Sequence, residues 1–427
     1  MEIAQLYRLF LQYPSVETDT RKLKPGDIFF ALQGPNFDGN QFALQALDAG
    51  AAYVIVSEDI APANNNVILV NDTLQTLQDL AKYHREQLDV PFIAITGSNG
   101  KTTTKELVHA VLNTHYITYT TQGNLNNHIG IPLTLLRVKK DAQFAVIEMG
   151  ANHQKEIEAY CTYVKPTHGI ITNVGKAHLE GFGGEEGVRK GKGELFDYLC
   201  TNGGAIFAFD DYTYLHEMSS GIQEIHWYGT QNGEVAGTAN LHQYFLSVNM
   251  IKGTGFAVLE TQLVGAYNLP NVLCAVTVGK HFNVPDDKIQ KAIEQYAPTN
   301  SRSQLINRGT NEIILDAYNA NPSSMQAAIE NVAKKESANK ILIIGGMKEL
   351  GIESEREHQH LVALIDKYSW KKVLLVGKEF ESFNKKYEWC ATSEEAKKWF
   401  TDHQFEHCVI LIKGSRGIAL EKVLAPA

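Results

Sequence analysis

The run Gly97-Ser98-Asn99-Gly100-Lys101-Thr102-Thr103-Thr104 gathers two glycines, a lysine and three threonine hydroxyls within eight residues. Glycines let backbone N–H groups close on phosphate oxygens, a lysine reaches the β and γ oxygens, and a threonine hydroxyl offers an oxygen to Mg²⁺. The chemistry is that of nucleotide triphosphate binding. Its spacing is G-x-x-G-K-T rather than the longer G-x-x-x-x-G-K-[ST], so the flanks must decide. They agree: residues 92–96 form a short apolar run before the loop, and Leu107, Val108, Val111 and Leu112 follow at helical spacing. In open α/β sheets ligands lie beyond the carboxyl ends of the strands, so polar residues closing neighbouring strands are expected to face the same phosphates. Glu148 closes the run Phe144-Ala145-Val146-Ile147, where a carboxylate suits Mg²⁺, and His178 follows the run 170–175. A lone histidine is more often a surface or core residue; its place after a third strand assigns it to the site. Lys101, Thr102, Glu148 and His178 are thus the candidate catalytic and metal-binding set.

These residues need elements to hold them. The chain has 427 residues, 44% of them hydrophobic and 20% charged, too many for one core, and three segments emerge. Residues 1–88 mix short apolar runs at 28–32, 53–56 and 67–70 with Gly and Pro turns, and end in a polar helix over 73–87. Residues 89–298 alternate apolar runs (92–96, 144–149, 169–174) with helical patterns, the signature of a parallel sheet. Residues 299–427 repeat that texture at 313–315, 341–344, 373–376 and 408–412, with a helix over 323–336, which reads as a second, Rossmann-like sheet. The expected fold class is therefore α/β with three domains: a small N-terminal one, a central ATPase and a C-terminal Rossmann-like one.

Bulk properties narrow the partners. A formal net charge of −9 argues against a nucleic-acid surface, while leaving room for a local anion site. No apolar run approaches the ~20 residues of a membrane span, and residues 1–10 lack a secretory pattern, so a cytoplasmic location is expected. The five cysteines, Cys161, Cys200, Cys274, Cys390 and Cys408, are widely spaced without a C-x-x-C pair, and read as reduced packing residues.

The loop, with Gly123-Asn124-Leu125-Asn126-Asn127-His128-Ile129-Gly130-Ile131-Pro132, Glu148-Met149-Gly150 and Thr172-Asn173-Val174-Gly175 with His178, resembles the Mur ligase family along nearly the whole chain. Asp316-Ala317-Tyr318-Asn319-Ala320-Asn321-Pro322 resembles the branch that adds D-alanyl-D-alanine to a UDP-N-acetylmuramoyl-tripeptide. The diamino-acid branch would show a D-N-P-R motif, which is missing. Thr18-Asp19-Thr20-Arg21 resembles the turn that holds a UDP-sugar. On its residues alone that stretch reads first as a capped turn with a surface arginine.

The resemblance implies an ATP- and Mg²⁺-dependent amide ligase acting as a monomer through an acyl phosphate, with no nucleic-acid partner. It implies ATP contacts by Gly97, Ser98, Asn99, Gly100, Lys101, Thr102, Thr103, Asn268, Asn271, Arg302 and Asp316. Substrate contacts are implied for Thr18, Asp19, Thr20, Arg21, Asn126, Asn127, Tyr318, Asn319, Asn321, Lys348 and Ser415. Lys192, followed by Gly193-Glu194-Leu195-Phe196, aligns with a lysine that several family members carry as a carbamate, an anion able to bind or orient Mg²⁺. A solvated lysine on a basic helix face is the alternative, and Lys190 competes for the alignment. Two departures stand out: Gly346 where the family usually shows Asp, and Gly417-Ile418-Ala419 in place of a Ser-Met pair. The competing activities are a diamino-acid-adding Mur ligase, a folylpolyglutamate-type ligase, a nucleotide switch and a nicotinamide dehydrogenase. The last lacks G-x-G-x-x-G after the first strand of the third segment.

Overall fold

A computed structural model describes residues 1–60, 64–240, 245–298, 302–337 and 339–425. The first segment forms a four-stranded parallel sheet ordered Val16–Glu17, Ile28–Phe30, Tyr53–Val56, Val67–Leu69. Its helix Thr73–Arg85 starts at Asp72, whose carboxylate accepts the Gln75 N–H, and ends two residues before the expected boundary. Arg85 ties that helix to the central segment. Its guanidinium is buried over the Phe92 ring at 3.8 Å and donates to the carbonyls of Val164, Lys165 and Leu88.

The central sheet has nine strands. From one edge they run Thr118–Thr120, Phe144–Glu148, Phe92–Thr96, His168–Ile171, Ala205–Phe209, Glu224–Gly229, Val235–Asn240, Phe245–Lys252 and Val258–Val264. Strand order reverses at Phe92–Thr96, the strand that feeds the glycine loop, so the loop sits at a topological switch point. The sheet is parallel from Thr118–Thr120 through Val235–Asn240, as expected, and Phe245–Lys252 and Val258–Val264 add an antiparallel extension that the sequence pattern did not show. Val235–Asn240 packs on helix Leu269–His281, which in turn packs on the helix after the loop.

The third segment forms a six-stranded sheet ordered Gln304–Arg308, Asn311–Asp316, Val409–Lys413, Lys340–Gly345, Lys372–Val376, Glu388–Cys390, with only the first pair antiparallel. Helix Pro322–Ala333 begins where Asn321 accepts the Ser324 N–H and Ser324 Oγ accepts the Asn321 N–H, and it stops three residues short of the expected end. All five cysteines are free and four are buried. Cys200 is exposed, against the expectation that all five pack, because it lies on the outer face of helix Glu185–Asn202.

Candidate active site

The carboxyl ends of the central and C-terminal sheets face one another across a cavity of about 850 Å³. Nearly every residue singled out from the sequence lines it: Ser98 to Thr103, Asn126, Asn127, Glu148, His178, Asn268, Asn271, Arg302, Asp316, Tyr318, Asn319, Asn321, Lys348 and Ser415. Although the chain carries a formal charge of −9, five cations (Lys101, Arg302, Lys348, Lys413, Arg416) and four carboxylates (Glu148, Glu156, Asp316, Glu349) line the cavity. The acidic excess lies elsewhere, and the cavity is open to an anionic ligand.

Backbone geometry explains the loop's glycines. Gly97 and Gly100 have φ of +140° and +79°, and a Cβ on Gly97 would stand 2.0 Å from Thr172 Oγ1. The Asn173 side chain clamps the loop from the neighbouring strand end, accepting the Asn99 N–H at 3.0 Å and donating to the Asn99 carbonyl at 3.0 Å. Helix Lys101–Leu112 has no side-chain cap, so its first N–H groups are left for phosphate oxygens. Lys101 folds back to donate to the Gly97 and Ser98 carbonyls at 2.6 and 3.2 Å. Burial pushes its ammonium below the ordinary lysine range and Arg302 adds to this, while Glu148 opposes it.

Glu148 is 1% exposed. Its Oε1 accepts from Thr102 Oγ1 at 3.2 Å and Asn126 Nδ2 at 2.8 Å, whereas Oε2 is buried with no partner. A carboxylate oxygen left bare beside a threonine hydroxyl is a fitting ligand set for Mg²⁺. His178, held at φ +52°, turns Nδ1 to 2.6 Å from Glu349 Oε2, close enough for an ion pair but off the alignment of a hydrogen bond. The imidazole holds the Glu349 carboxyl below its ordinary range.

The opposite wall is held by its own polar pairs. Lys413, 2% exposed, sits 2.6 Å from Asp316 Oδ2 and also donates to the Asn319 carbonyl, while Asp316 Oδ1 accepts the Ser303 N–H. Ser415 Oγ accepts the Lys348 N–H at 3.0 Å. Two guanidiniums approach the Tyr318 ring, Arg302 at 3.6 Å and Arg416 at 5.2 Å from its centroid. The two walls touch at the loop, where Asn321 Nδ2 donates to Asn99 Oδ1 at 2.8 Å, and at Lys176, whose N–H donates to Ser323 Oγ and whose ammonium meets Glu357 at 2.9 Å. Asn268 and Asn271 are also tied down: Asn271 donates to Asn268 Oδ1 and accepts from Thr104 Oγ1.

Three sets of sequence-derived residues lie outside the cavity lining. Gly97 shapes the loop from behind. Thr18, Asp19, Thr20 and Arg21 form a separate turn in which Arg21 is bound through two nitrogens to Asp19, which brings that carboxyl down to about 2. Lys192 is 1% exposed, not solvated, while Lys190 is exposed. Its Nζ donates to the Ala151 carbonyl at 3.1 Å and lies 4.7 Å from the Phe182 ring centroid, with no carboxylate in ion-pair range among the described residues. Burial first, then the Lys101 charge, push its ammonium well below the ordinary lysine range; Glu156 and Glu194 oppose this.

Comparison with known proteins agrees with this geometry. Three family models match: "Mur ligase family, catalytic domain" over residues 12–85, "Mur ligase middle domain" over 95–279 and "Mur ligase, glutamate ligase domain" over 301–416. The UDP-N-acetylmuramoyl-tripeptide–D-alanyl-D-alanine ligases of Bacillus subtilis and Escherichia coli are each 35% identical over 96% of this chain and 92% of theirs. A crystal structure of MurF from Acinetobacter baumannii superposes with a TM-score of 0.87 at 31% identity, over 96% of this chain and 92% of that one. The MurF ligase from Thermotoga maritima in complex with ADP has the same fold at a TM-score of 0.86 and 24% identity, over 97% of each chain.

The chain belongs to the Mur ligase family. Against the Mur ligase pattern, the glycine at 346 has a local reason: a Cβ there would stand 2.5 Å from Glu379 Oε2. The Glu379 carboxylate, ion-paired with Lys348, fills the space an aspartate would need. The second departure, Gly417-Ile418-Ala419, ends a 3₁₀ turn with Ala419 at φ +56° and brings Arg416 alongside Tyr318. Sequence reasoning singled out Lys348 but missed its neighbour Glu349, which reaches His178, and missed Lys413 as the partner of Asp316. Lys413 is the final residue of its strand, Val409–Lys413, and the same strand-end rule that found Glu148 could have found it.

Proposed function

We infer that this chain is an ATP-dependent amide ligase that joins D-alanyl-D-alanine to the tripeptide carboxylate of UDP-N-acetylmuramoyl-tripeptide, a step of peptidoglycan precursor synthesis in the cytoplasm. The names of its relatives support the substrates, and the ADP held by the Thermotoga maritima structure supports the nucleotide. The observation that carries the reading is the 2.8 Å contact between Asn99 of the phosphate loop and Asn321 of the Tyr-Asn-Ala-Asn-Pro turn, which brings the two walls to one reaction volume. No helix among the described residues is long and apolar enough to cross a membrane.

A carboxylate is a poor acyl donor because oxide does not leave. Attack of a carboxylate oxygen on the γ-phosphorus releases ADP and forms an acyl phosphate. The amine of the dipeptide then attacks the acyl carbon and expels phosphate, losing its proton as the amide forms. Positioning and charge neutralisation therefore dominate what the protein contributes. Lys101 swings from the loop carbonyls to the β and γ oxygens, and the free N–H groups of helix Lys101–Leu112 hold the same phosphates. Arg302 and Asp316 are proposed to meet phosphate and ribose, and Asn268 and Asn271 to flank the adenine. Asn126, Asn127, Tyr318, Asn319, Lys348 and Ser415 are proposed to hold the peptide substrates, and the Thr18 to Arg21 turn the UDP. Thr102, Glu148 and His178 fit Mg²⁺, because Glu148 Oε2 is buried with no hydrogen-bond partner among the described residues, beside the Thr102 hydroxyl, and the His178 imidazole lines the same cavity. When bound, the ion would reduce repulsion between carboxylate and triphosphate.

Lys192 is proposed to carry a carbamate. Its buried Nζ, without a counter-ion, is best accommodated as the neutral amine, and attack on CO₂ forms an N–C bond with loss of one proton. The resulting anion would sit beside Ala151, facing the charge of Lys101. Product analysis tests the overall reading: ADP and phosphate should form only when UDP-tripeptide and D-alanyl-D-alanine are both present. Steady hydrolysis without the dipeptide would overturn it.

A further inference from the structure

We infer that Glu224, His226 and His281 form a binding site for a divalent transition metal of the zinc class, at the end of the central sheet opposite the phosphate loop. The register fixes its place. His168, Ala205 and Glu224 lie side by side at the amino ends of parallel strands, and His168 pairs with Ile93 at the start of the strand that feeds the loop. Helix Leu269–His281 spans the same distance. It carries Asn271 near its first turn, in the nucleotide cavity, and His281 at its end, ten residues and about 15 Å away.

The donor set converges from two elements. Glu224 and His226 are two apart on strand Glu224–Gly229 and so project from one face, where His281 meets them from the helix end. One ligand atom from each lies within 4.8 Å of the others, and the two imidazole centroids are 4.0 Å apart. His226 Nδ1 is 2.9 Å from Glu234 Oε1, and its Nε2 is 3.0 Å from Glu224 Oε1. A dication in that space would be held by His226, His281 and Glu224 together, with the Glu234 carboxylate on the far nitrogen of His226, as outer carboxylates are for zinc-bound histidines.

Two imidazoles and one carboxylate without a thiol suit zinc, cobalt, nickel or copper over magnesium or calcium. Tetrahedral ligands at ~2.1 Å stand about 3.4 Å apart, so the Glu224–His226 pair, at 3.0 Å, must open slightly. Glu224, with 59% of its side chain exposed, has the freedom to do so. Phe207 walls the inner side, its ring 5.1 Å from that of His226 and 5.4 Å from that of His281. His168 backs His281 at 5.8 Å and is engaged by Thr167 at 2.8 Å, outside the ligand set. Three protein ligands and an open outer side leave one position for water.

The test uses the untagged full chain with Mg²⁺ and a non-hydrolysable ATP analogue filling the nucleotide cavity, titrated with Co²⁺. We expect a visible d–d absorption that saturates at one equivalent and is displaced by Zn²⁺. His226→Gln and His281→Gln should each abolish it, and Glu234→Gln should weaken Co²⁺ binding about 10- to 100-fold. Circular dichroism of each variant separates lost binding from lost folding, and Glu224→Gln, at an exposed position, provides a variant with little to disturb. Folded variants that retain the cobalt spectrum, or a parent chain that shows none at equimolar cobalt, would overturn the site.

Discussion

On the phosphate-loop wall of the cavity, Glu148 Oε2 is buried with no hydrogen-bond partner among the described residues, and Lys101 rests on backbone carbonyls of its own loop. On the facing wall Asp316 is saturated by Lys413 and the Ser303 N–H, Ser415 by the Lys348 N–H, and Asn321 caps a helix. Buried polar atoms are costly when unpaired, so the first wall carries a cost that a bound ligand would relieve, while the second is already a finished scaffold. The first wall is completed by what it binds, whereas the second meets substrate with side chains whose positions are already fixed.

The largest expected effect is at Lys101. Lys101→Ala should lower kcat about 10²- to 10³-fold with an unchanged circular dichroism spectrum, because its charge is needed once triphosphate is bound. Near-normal turnover would remove the distinction between the walls. On the scaffold side, Asp316→Asn leaves the buried Lys413 ammonium without its counter-charge and should cost about 3 kcal/mol in urea unfolding. A loss below about 1 kcal/mol would show that the pair is not structural. Lys192→Ala should lower activity about 10- to 100-fold and recover part of it with added formate or acetate, which can occupy the emptied site. Full activity in bicarbonate-free buffer would show that the amine acts unmodified or not at all. The smallest effect belongs to the remote turn: Arg21→Ala should raise KM for the UDP-peptide several-fold, with the melting temperature and KM for ATP unmoved. Equal changes in both KM values would place that turn's influence elsewhere.

Much of the loaded wall was legible in the sequence because its residues are local. Gly97 to Thr104 are contiguous, and Glu148 and His178 follow apolar runs that mark strand ends. The scaffold wall depends on partners far apart in the chain. Asp316 and Lys413 are 97 residues apart, and Asn99 and Asn321 are 222 apart, so no local pattern links them. The antiparallel extension escaped for a related reason: Val235-Ala236-Gly237-Thr238-Ala239-Asn240 has few large apolar side chains and pairs by a hairpin register that composition does not reveal. Lys192 shows the limit in the other direction. A lysine amid Arg189, Lys190 and two glycines has the composition of a solvated face, and only the packing of helix Glu185–Asn202 against Phe182 and Ala151 shows it to be buried.

Attack of a carboxylate on ATP at the loaded wall, followed by amide formation with the dipeptide amine beside the facing wall, is tested most directly by following oxygen. With ¹⁸O in the terminal carboxylate of the UDP-tripeptide, D-alanyl-D-alanine and ATP, one labelled oxygen should appear in each inorganic phosphate released, and the new amide should keep the other. Label found in AMP, or phosphate released without label, would contradict the acyl-phosphate route.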